Sequence, residues 1–327
     1  MTSFHQSLLA LAAGATGFNV YTGVATSGWG PDLDAKHTPP YPDCPPVDAR
    51  GNATGKAGTV LMLADFFAAH GAEFLAAEPA TGASWGLYPP YAAIATWTGD
   101  LDQQSALPGC GRPLREFHER MRAQGTDYRI VDLESATAER LAAHPQLVLH
   151  GGPFMHARVQ RLLAGHIGSG GRVELQGPVP ELDENLDVCT VLAEALAGQS
   201  DAPSAPSAPS AGAVRALSGS ADAYWRGPAP GSGYLTLLVQ SDNQGPVRLE
   251  LAGADGRSIP VTVESARGGA AVLRFADGRL DDFLLTGANS FLGSAVTPAL
   301  RVGDDQVRGA HGLDLARIRG ELRTPAP

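Results

Sequence analysis

The run DAPSAPSAPSAG at residues 201–212 divides this chain into two stretches of different hydrophobic periodicity. Its Ala-Pro-Ser repeats contain no large apolar side chain and have stiff backbones, so residues 200–212 are predicted to form a semi-extended linker. Before the run, short apolar segments alternate with helical patterns, whereas after it apolar residues recur at every second position. The two patterns predict an α/β region followed by an all-β region.

Residues 83–199 carry the alternating pattern. The segments YRIVDL, QLVLHG and RVELQG are short apolar runs, as expected for strands of a parallel sheet that helices cover on both faces. Two later segments carry single helical stripes, which are Met155, Val159, Leu162, Leu163 and Ile167 in one and Leu186, Cys189, Leu192 and Leu196 in the other. This arrangement predicts a flavodoxin-like parallel α/β domain.

Residues 213–327 change to period two, which is typical of strands with one buried face. Val247, Leu249 and Leu251 alternate with polar residues, and the run around Leu238 does so imperfectly because Leu238 interrupts the polar face. Asp-Gly pairs lie between such runs at 255–256 and 277–278, and Asp-Gly is a strong hairpin signal. The region therefore predicts an antiparallel β-sandwich.

Residues 1–82 predict two helices around a strand and a loop. The first helix has a stripe of Phe4, Leu8, Leu11 and Ala12. The segment GFNVYTGV, residues 17–24, is predicted to be a buried strand, and Thr54 is a candidate N-cap of the second helix. That helix is apolar but contains Asp65, His70 and Glu73, so it predicts a buried helix and not a membrane span.

The net charge of −10 and pI near 5.3 argue against binding of nucleic acid or of an anionic membrane. The three cysteines, Cys44, Cys110 and Cys189, are odd in number and have no CxxC spacing. They predict reduced thiols and a cytoplasmic location, with neither a disulfide framework nor a zinc site.

Motifs for cofactors are missing from the sequence. There is no GxGxxG after a strand, and the glycine-rich GHIGSGG follows a helix, where no free N–H groups would face a phosphate. His150 and His156 straddle a strand–helix turn and are predicted to be solvated or capping residues, with no metal bound. The acids of PELDEN, residues 180–185, are predicted to begin a helix, and no cofactor is expected.

The loop after the predicted strand at 17–24 is rich in aromatic and histidine side chains, namely Tyr21, Trp29, His37 and Tyr41. Rings with polar tips are suited to stack on the C–H face of a sugar, and the alternative is a loop that packs its own rings. Tyr21, Trp29 and His37 are therefore the candidate substrate-binding residues.

Several segments resemble the C-terminal part of bacterial β-galactosidases from the clan of glycoside hydrolase families 35 and 42. GATGFNVYTGV is similar to the last barrel strand of family 35 enzymes, often N-x-Y-M, with Thr22 in place of the Met and ATSGWG in place of a GGTNFG-like loop. The other segments are YPDCPPVDARGNATGKA, GLYPPYA and LVLHGGPFMHARVQRLLAGHIGSGGRVELQGPVPELDEN.

The resemblance implies that residues 1–82 are the end of a (β/α)8 barrel, that residues 83–199 correspond to the trimerisation domain of family 42 and mediate homo-oligomerisation, and that the substrate is a terminal β-galactoside. Retaining enzymes of this clan use two glutamates from earlier barrel strands. This chain is expected to begin after those strands, so no catalytic residue is assigned and the chain is expected to be inactive alone.

Two alternatives stay open at this stage. The chain could be a non-catalytic carbohydrate-binding or oligomerisation module, which predicts a closed, soluble fold. It could also be a different α/β enzyme, which requires a titratable cluster at the strand ends of residues 128–177, and the sequence reveals no such set. The β-galactosidase interpretation instead predicts exposed apolar surface along residues 1–24, where barrel strands would pair.

Overall fold

A computed structural model of the chain describes residues 3–20, 22–28, 30, 45–79, 81–91, 93, 111–123, 127–199, 214–229, 231–253, 255–289 and 292–309. The chain forms two compact units. One, here the β unit, combines residues 1–79 with 211–327, and the other, the α/β unit, comprises residues 80–210. The predicted mixture of α/β and all-β architecture is confirmed.

The described helices are α1 (Ser3–Ala12), α2 (Gly55–Ala76), α3 (Gly111–Ala123), α4 (Ala138–Ala142), α5 (Ala157–Gly168) and α6 (Val191–Ala197). The strands of the α/β unit are β1 (Thr81–Leu87), β2 (Asp127–Asp132), β3 (Gln146–His150) and β4 (Arg172–Gln176). Those of the β unit are β5 (Val214–Ser218), β6 (Ala221–Ala229), β7 (Ser232–Val239), β8 (Val247–Ala252), β9 (Ser258–Glu264), β10 (Ala270–Ala276), β11 (Arg279–Leu285), β12 (Ala288–Asn289), β13 (Ser294–Ala295), β14 (Ala299–Val302) and β15 (Asp305–Arg308).

The α/β unit contains a parallel sheet in the order β2-β1-β3-β4. This order matches the first four strands of the flavodoxin-like order 2-1-3-4-5. Both faces are covered, since Leu147 and Leu149 pack on the side of α5 while Trp85 and Val148 pack against α3. The strand order reverses between β1 and β3, and in such sheets the crevice at this point is where ligands bind.

The outer edge of β4 is satisfied by a side chain. The Gln199 amide accepts a hydrogen bond from the Val173 N–H at 2.9 Å and donates one to the Val173 carbonyl at 3.0 Å. A side-chain amide thereby replaces a fifth strand at this position, which protects an edge that would otherwise offer free backbone groups.

The helix predicted from the stripe at Leu186 begins later, with α6 at Val191. Leu186 has a φ of +66° and is 66% exposed, and Asp183 Oδ1 accepts hydrogen bonds from the N–H groups of Asn185 and Asp187. This side-chain-stabilised turn competes with the helix. Cys189 therefore precedes the helix and is only half-buried, contrary to its predicted place on a helical stripe.

The β unit contains a four-stranded sheet, β11-β10-β7-β6, and a five-stranded sheet, β15-β14-β9-β8-β5. Asp277 and Gly278 both have positive φ, which is the type I′ turn expected for an Asp-Gly hairpin between β10 and β11. β7 is buried on both faces, because Tyr234 and Leu238 contact the helices while Leu235 and Leu237 face the other way. The apolar Leu238 on the predicted polar face is thus explained by a helical layer.

That layer consists of α1 and α2. The predicted stripe of α1 is fully buried, with Phe4 at 0% and Leu8 at 1% exposure, and α1 packs against β7 and β10. Arg226 of β6 donates to the Leu11 carbonyl at 3.3 Å and to the Ala77 carbonyl at 3.1 Å, so one guanidinium satisfies the C-terminal ends of both helices. The expected exposed apolar surface is therefore not found at α1.

Helix α2 begins at the predicted cap, since the Thr54 side chain accepts from the Lys56 N–H at 3.3 Å. By length and composition it is the one helix among the described residues that could cross a membrane. Only Leu63, Phe66 and Phe74 are buried, so it lies on the sheet surface and is not the buried helix that the sequence predicted.

The strand predicted at residues 17–24 does not form in the described part of that segment. Only Val24 makes a β-bridge, to Val47, and Phe18 instead packs at the edge of the core that α1 and α2 share with the sheet. A strand needs a paired neighbour along its length to satisfy its backbone, and among the described residues Val47 provides one only at the end of this segment, through hydrogen bonds to Gly23 and Ala25. Whether residues 1–82 correspond to the end of a barrel stays a prediction.

Candidate functional site

The three residues that the sequence singled out for substrate binding, Tyr21, Trp29 and His37, lie outside the described residues. Their contact with a sugar stays a prediction. Among the described residues, one group of interacting titratable side chains lies in the α/β unit, at the carboxyl ends of its strands.

Four side chains form this group, which is called the strand-end cluster below. Tyr88 follows β1, Glu134 follows β2, His156 occupies the N-cap position of α5, and Glu184 lies in the loop before α6. The carboxyl ends of parallel strands meet at one edge of the sheet, so residues that are far apart in the sequence come together at the point where the strand order reverses.

Tyr88 and His156 are joined by two contacts of 3.0 Å, one from the His156 backbone N–H to the Tyr88 hydroxyl and one between that hydroxyl and His156 Nδ1. Burial raises the pKa of Tyr88, and the negative charges of Glu134 and Glu184 add to this effect. The phenol therefore keeps its proton, and its hydroxyl accepts from the His156 backbone N–H while it shares the second contact with Nδ1.

Glu134 approaches the same imidazole from the end of β2. Its Oε1 lies 3.4 Å from His156 Nδ1, and the two side chains are 38% and 39% exposed. Arg158 holds this turn, since its guanidinium donates to the carbonyl oxygens of Leu133, Glu134 and Ala136. The imidazole is thus positioned between a phenol and a carboxylate.

Glu184 occupies the N-terminus of α5. Its Oε2 accepts a hydrogen bond from the Ala157 N–H at 2.8 Å, and this bond lowers the pKa of Glu184. The N-terminus of a helix is the usual place for a bound phosphate in α/β folds. Here the chain's own carboxylate fills that position, so it is not free for a phosphate.

The residues that support the cluster are buried and hydrogen-bonded to one another. The buried Gln160 donates to the carbonyls of Met155 and Leu182, both at 2.9 Å, and the Met155 N–H bonds to the Leu182 carbonyl. Tyr91, which packs edge-to-face on Tyr88, donates its hydroxyl to the Phe154 carbonyl. The segment from β3 to α5 and the loop before α6 therefore hold each other in place.

His150 at the end of β3 is unusual. Neither ring nitrogen is accessible to solvent or has a hydrogen-bond partner of normal geometry among the described residues. Burial lowers the pKa of His150, and the nearby Gln176 backbone opposes the shift only in part. His150 is therefore a neutral, half-buried imidazole whose ring nitrogens are shielded from solvent, next to the cluster.

Sequence reasoning expected no titratable set at these strand ends, and the structure corrects that expectation. His156 occupies a helix N-cap, but its side chain bonds to Tyr88 and does not cap the helix. Strand ends alone would have pointed to Tyr88 and Glu134, yet Glu184 was assigned to a helix start of its own. No group of three or more potential metal ligands occurs among the described residues.

Comparison with known proteins finds similarity to proteins whose names refer to glycosides. Residues 109–218 match the family model described as GLMA-like, second domain. Over 153 residues the chain is 29% identical to an exo-beta-D-glucosaminidase from Thermococcus kodakarensis, covering 46% of this chain and 19% of the relative. Over 198 residues it is 27% identical to a beta-1,2-glucosyltransferase from Ignavibacterium album, covering 57% of this chain and 27% of the relative.

Among solved structures, a mutant of Gan42B, a GH42 beta-galactosidase from G. stearothermophilus, aligns with 94% of this chain and 50% of its own, at 8% identity and a TM-score of 0.45. The chain spans about a fifth to a quarter of the length of the curated relatives described above. The predicted resemblance to part of a glycoside hydrolase is confirmed by the sequence matches.

Proposed function

We propose that this chain is a part of a glycoside hydrolase-like protein that acts on terminal β-linked sugars, and that it contributes sugar contacts without hydrolysing the bond by itself. The observation that carries the proposal is the family-model match at residues 109–218, which includes three of the four residues of the strand-end cluster. The relatives named as exo-beta-D-glucosaminidases support a glycoside substrate.

The resemblance noted in the sequence favours a β-galactoside, whereas the names of two curated relatives favour a β-glucosaminide. The two sugars differ in charge, because the amino group of glucosamine is cationic near neutral pH. The exposed carboxylates of Glu134 and Glu184 would accept hydrogen bonds from either sugar.

Glu184 is unsuited to serve as the general acid of hydrolysis. A retaining glycosidase requires two carboxyls about 5–5.5 Å apart, one of which has a raised pKa and acts as general acid. In the strand-end cluster the pKa of Glu184 is lowered, which is the wrong direction for an acid. Glu184 is also bound to the N-terminus of α5.

The test is to measure turnover of 4-nitrophenyl β-D-galactoside and β-D-glucosaminide by the purified chain, together with calorimetric binding of the two methyl glycosides. We expect no turnover and saturable binding of one glycoside. Turnover would contradict the non-hydrolytic role and direct attention to Glu134→Gln and Glu184→Gln. Lack of binding of both glycosides would contradict a sugar-contacting role.

Homo-oligomerisation through the α/β unit is a further part of the proposal, and it follows from the resemblance to a trimerisation domain. Light scattering coupled to size exclusion tests it directly. If the chain were a monomer up to its highest soluble concentration, homo-oligomerisation would be contradicted and the proposed role in sugar contact would be unaffected.

A further inference from the structure

We infer that the strand-end cluster of Tyr88, Glu134, His156 and Glu184 is a saccharide-binding site that holds two neighbouring hydroxyl groups of a sugar. The choice of a sugar rests on the proposed function, whereas the location rests on the geometry. No similarity assigns a ligand to these four residues.

The first argument is the complementary set of hydrogen-bond groups. Tyr88 and Glu134 both approach His156 at its Nδ1, so Nε2 is the ring nitrogen that the cluster leaves for a ligand. Glu134 presents a partly exposed carboxylate beside it. A pair of adjacent sugar hydroxyls fits this combination, since one hydroxyl can bond to Nε2 as donor or acceptor while its neighbour donates to the carboxylate.

The second argument is preorganisation. The imidazole is held on its inner side by one contact of 3.0 Å to the buried Tyr88, whose hydroxyl also accepts from the His156 backbone N–H at 3.0 Å. The helix that carries His156 is anchored through Gln160 and Glu184. A ligand group that meets an already oriented donor avoids much of the entropy cost of ordering it. A histidine in contact with solvent alone would have no such buried hydrogen-bond partner to orient its ring.

The third argument concerns ligands that the site does not fit. A phosphate would face two carboxylates, one of which already fills the helix N-terminus. Glu134, His156 and Glu184 are not arranged to hold a metal ion, since no group of three ligands that could do so occurs among the described residues. A hydroxylated ligand, neutral or bearing an ammonium group, is compatible with all of these contacts.

The experiment follows the imidazole nitrogens by ¹⁵N NMR while methyl β-D-galactoside or methyl β-D-glucosaminide is added to the whole chain. We expect the His156 Nε2 resonance to shift on saturation. We expect His156→Gln and Glu134→Gln each to weaken the affinity by about tenfold, as for the loss of one hydrogen bond to a charged or oriented partner.

The chain offers a matched control in His118, whose Nδ1 lies 3.1 Å from the Tyr128 hydroxyl on the α3 side of the same sheet. His118→Gln removes a similar Tyr–His pair and should leave the affinity unchanged. Amide hydrogen exchange of β3 and β4 establishes that each variant is folded, and a variant that unfolds is replaced by Glu134→Ala at the exposed carboxylate.

The outcomes separate this inference from the proposed function. Sugar binding that survives in both the His156 and the Glu134 variant would overturn the site and leave the proposed function standing. Turnover by the native chain together with binding at His156 would overturn the non-hydrolytic role and leave the site standing. No shift of His156 with either glycoside would overturn the inference.

Discussion

At the scale of single residues, the strand-end cluster depends on a close approach at Gly151, directly after β3. A Cβ at this position would collide with the Pro178 carbonyl oxygen and would lie 2.9 Å from the Leu175 side chain. The Gly151 N–H also bonds to the Gln176 carbonyl at 2.7 Å. The turn that carries the chain from β3 towards His156 therefore has no room for a side chain.

Gly151→Ala should lower the free energy of unfolding of the α/β unit by roughly 1–3 kcal/mol, as for overpacking against a fixed backbone. Gly165→Ala is the matched control, because Gly165 lies within α5 and a Cβ added there would meet no atom within 4 Å. That substitution should stabilise by about 0.5–1 kcal/mol. Hydrogen exchange in β3 and β4 measures both, and equal effects would contradict the packing argument.

His166, at the end of α5, makes the α/β unit sensitive to acid. It is 8% exposed, its Nε2 lacks a partner among the described residues, and burial lowers its pKa. Between the unfolded value near 6.5 and the lower folded value, the unfolded chain binds more protons. Stability is therefore fully present above about pH 6.5 and is lost as the pH falls below it.

We expect the free energy of unfolding of the α/β unit to fall between pH 7 and pH 5, and His166→Gln to reduce this fall. Some dependence should remain, because the pKa values of His144 and His150 are also lowered by burial. Urea titrations at both pH values measure the effect, with Gly165→Ala as a variant that should keep the full pH dependence. If the free energy of unfolding of His166→Gln fell with pH as steeply as that of the native chain, His166 would not be a source of the acid sensitivity.

At the scale of elements, the contacts that hold α2 on the sheet are of two kinds. Phe74 is 1% exposed, packs edge-to-face on Tyr234, and lies under the Arg226 guanidinium at 4.6 Å. Glu73, one residue earlier, pairs with Arg274 at 3.0 Å but is 53% exposed. Apolar burial should dominate, since exposed ion pairs contribute little.

Phe74→Ala should therefore cost about 3–5 kcal/mol of β-unit stability, whereas Glu73→Gln should cost less than about 1 kcal/mol. Denaturant titration monitored by hydrogen exchange in β7 and β10 separates the two expectations. A loss of similar size in both variants would show that the polar pair with Arg274 holds the helix.

Elements with a strong local signal were predictable from the sequence. The Asp277-Gly278 hairpin and the Thr54 cap depend on backbone preferences of the residues themselves, and both are present. The helix predicted from the apolar stripe at Leu186 was wrong at its start, because the Asp183 side chain stabilises a turn there and hydrophobic periodicity carries no information about such a turn. The strand-end cluster was not predictable, because Glu184 meets Ala157 through a tertiary contact with no sequence spacing of its own.

At the scale of the whole molecule, the β unit is built from both ends of the chain, with the α/β unit inserted between them. The sequence predicted three separate domains because its patterns are local, and it could not show that α1 and α2 complete the core of a sheet that lies far along the chain, beyond the linker. Leu238, which looked like an interruption, is the residue that belongs to this shared core. Because the helices cover the face of the sheet that carries Leu238, β7 is buried on both faces.

This arrangement predicts that a charge on the buried side of α1 disrupts the β unit. Leu8 is 1% exposed within the core formed with Tyr234 and Val272, so Leu8→Asp would bury an unpaired carboxylate and should cost more than about 4 kcal/mol. Leu61→Asp is the matched control, because Leu61 on α2 is 61% exposed. Hydrogen exchange should show lost protection in β7 and β10 only for Leu8→Asp, with protection in β3 and β4 retained, since these strands belong to the other compact unit. Unchanged protection in Leu8→Asp would mean that α1 is not needed to close the sheet.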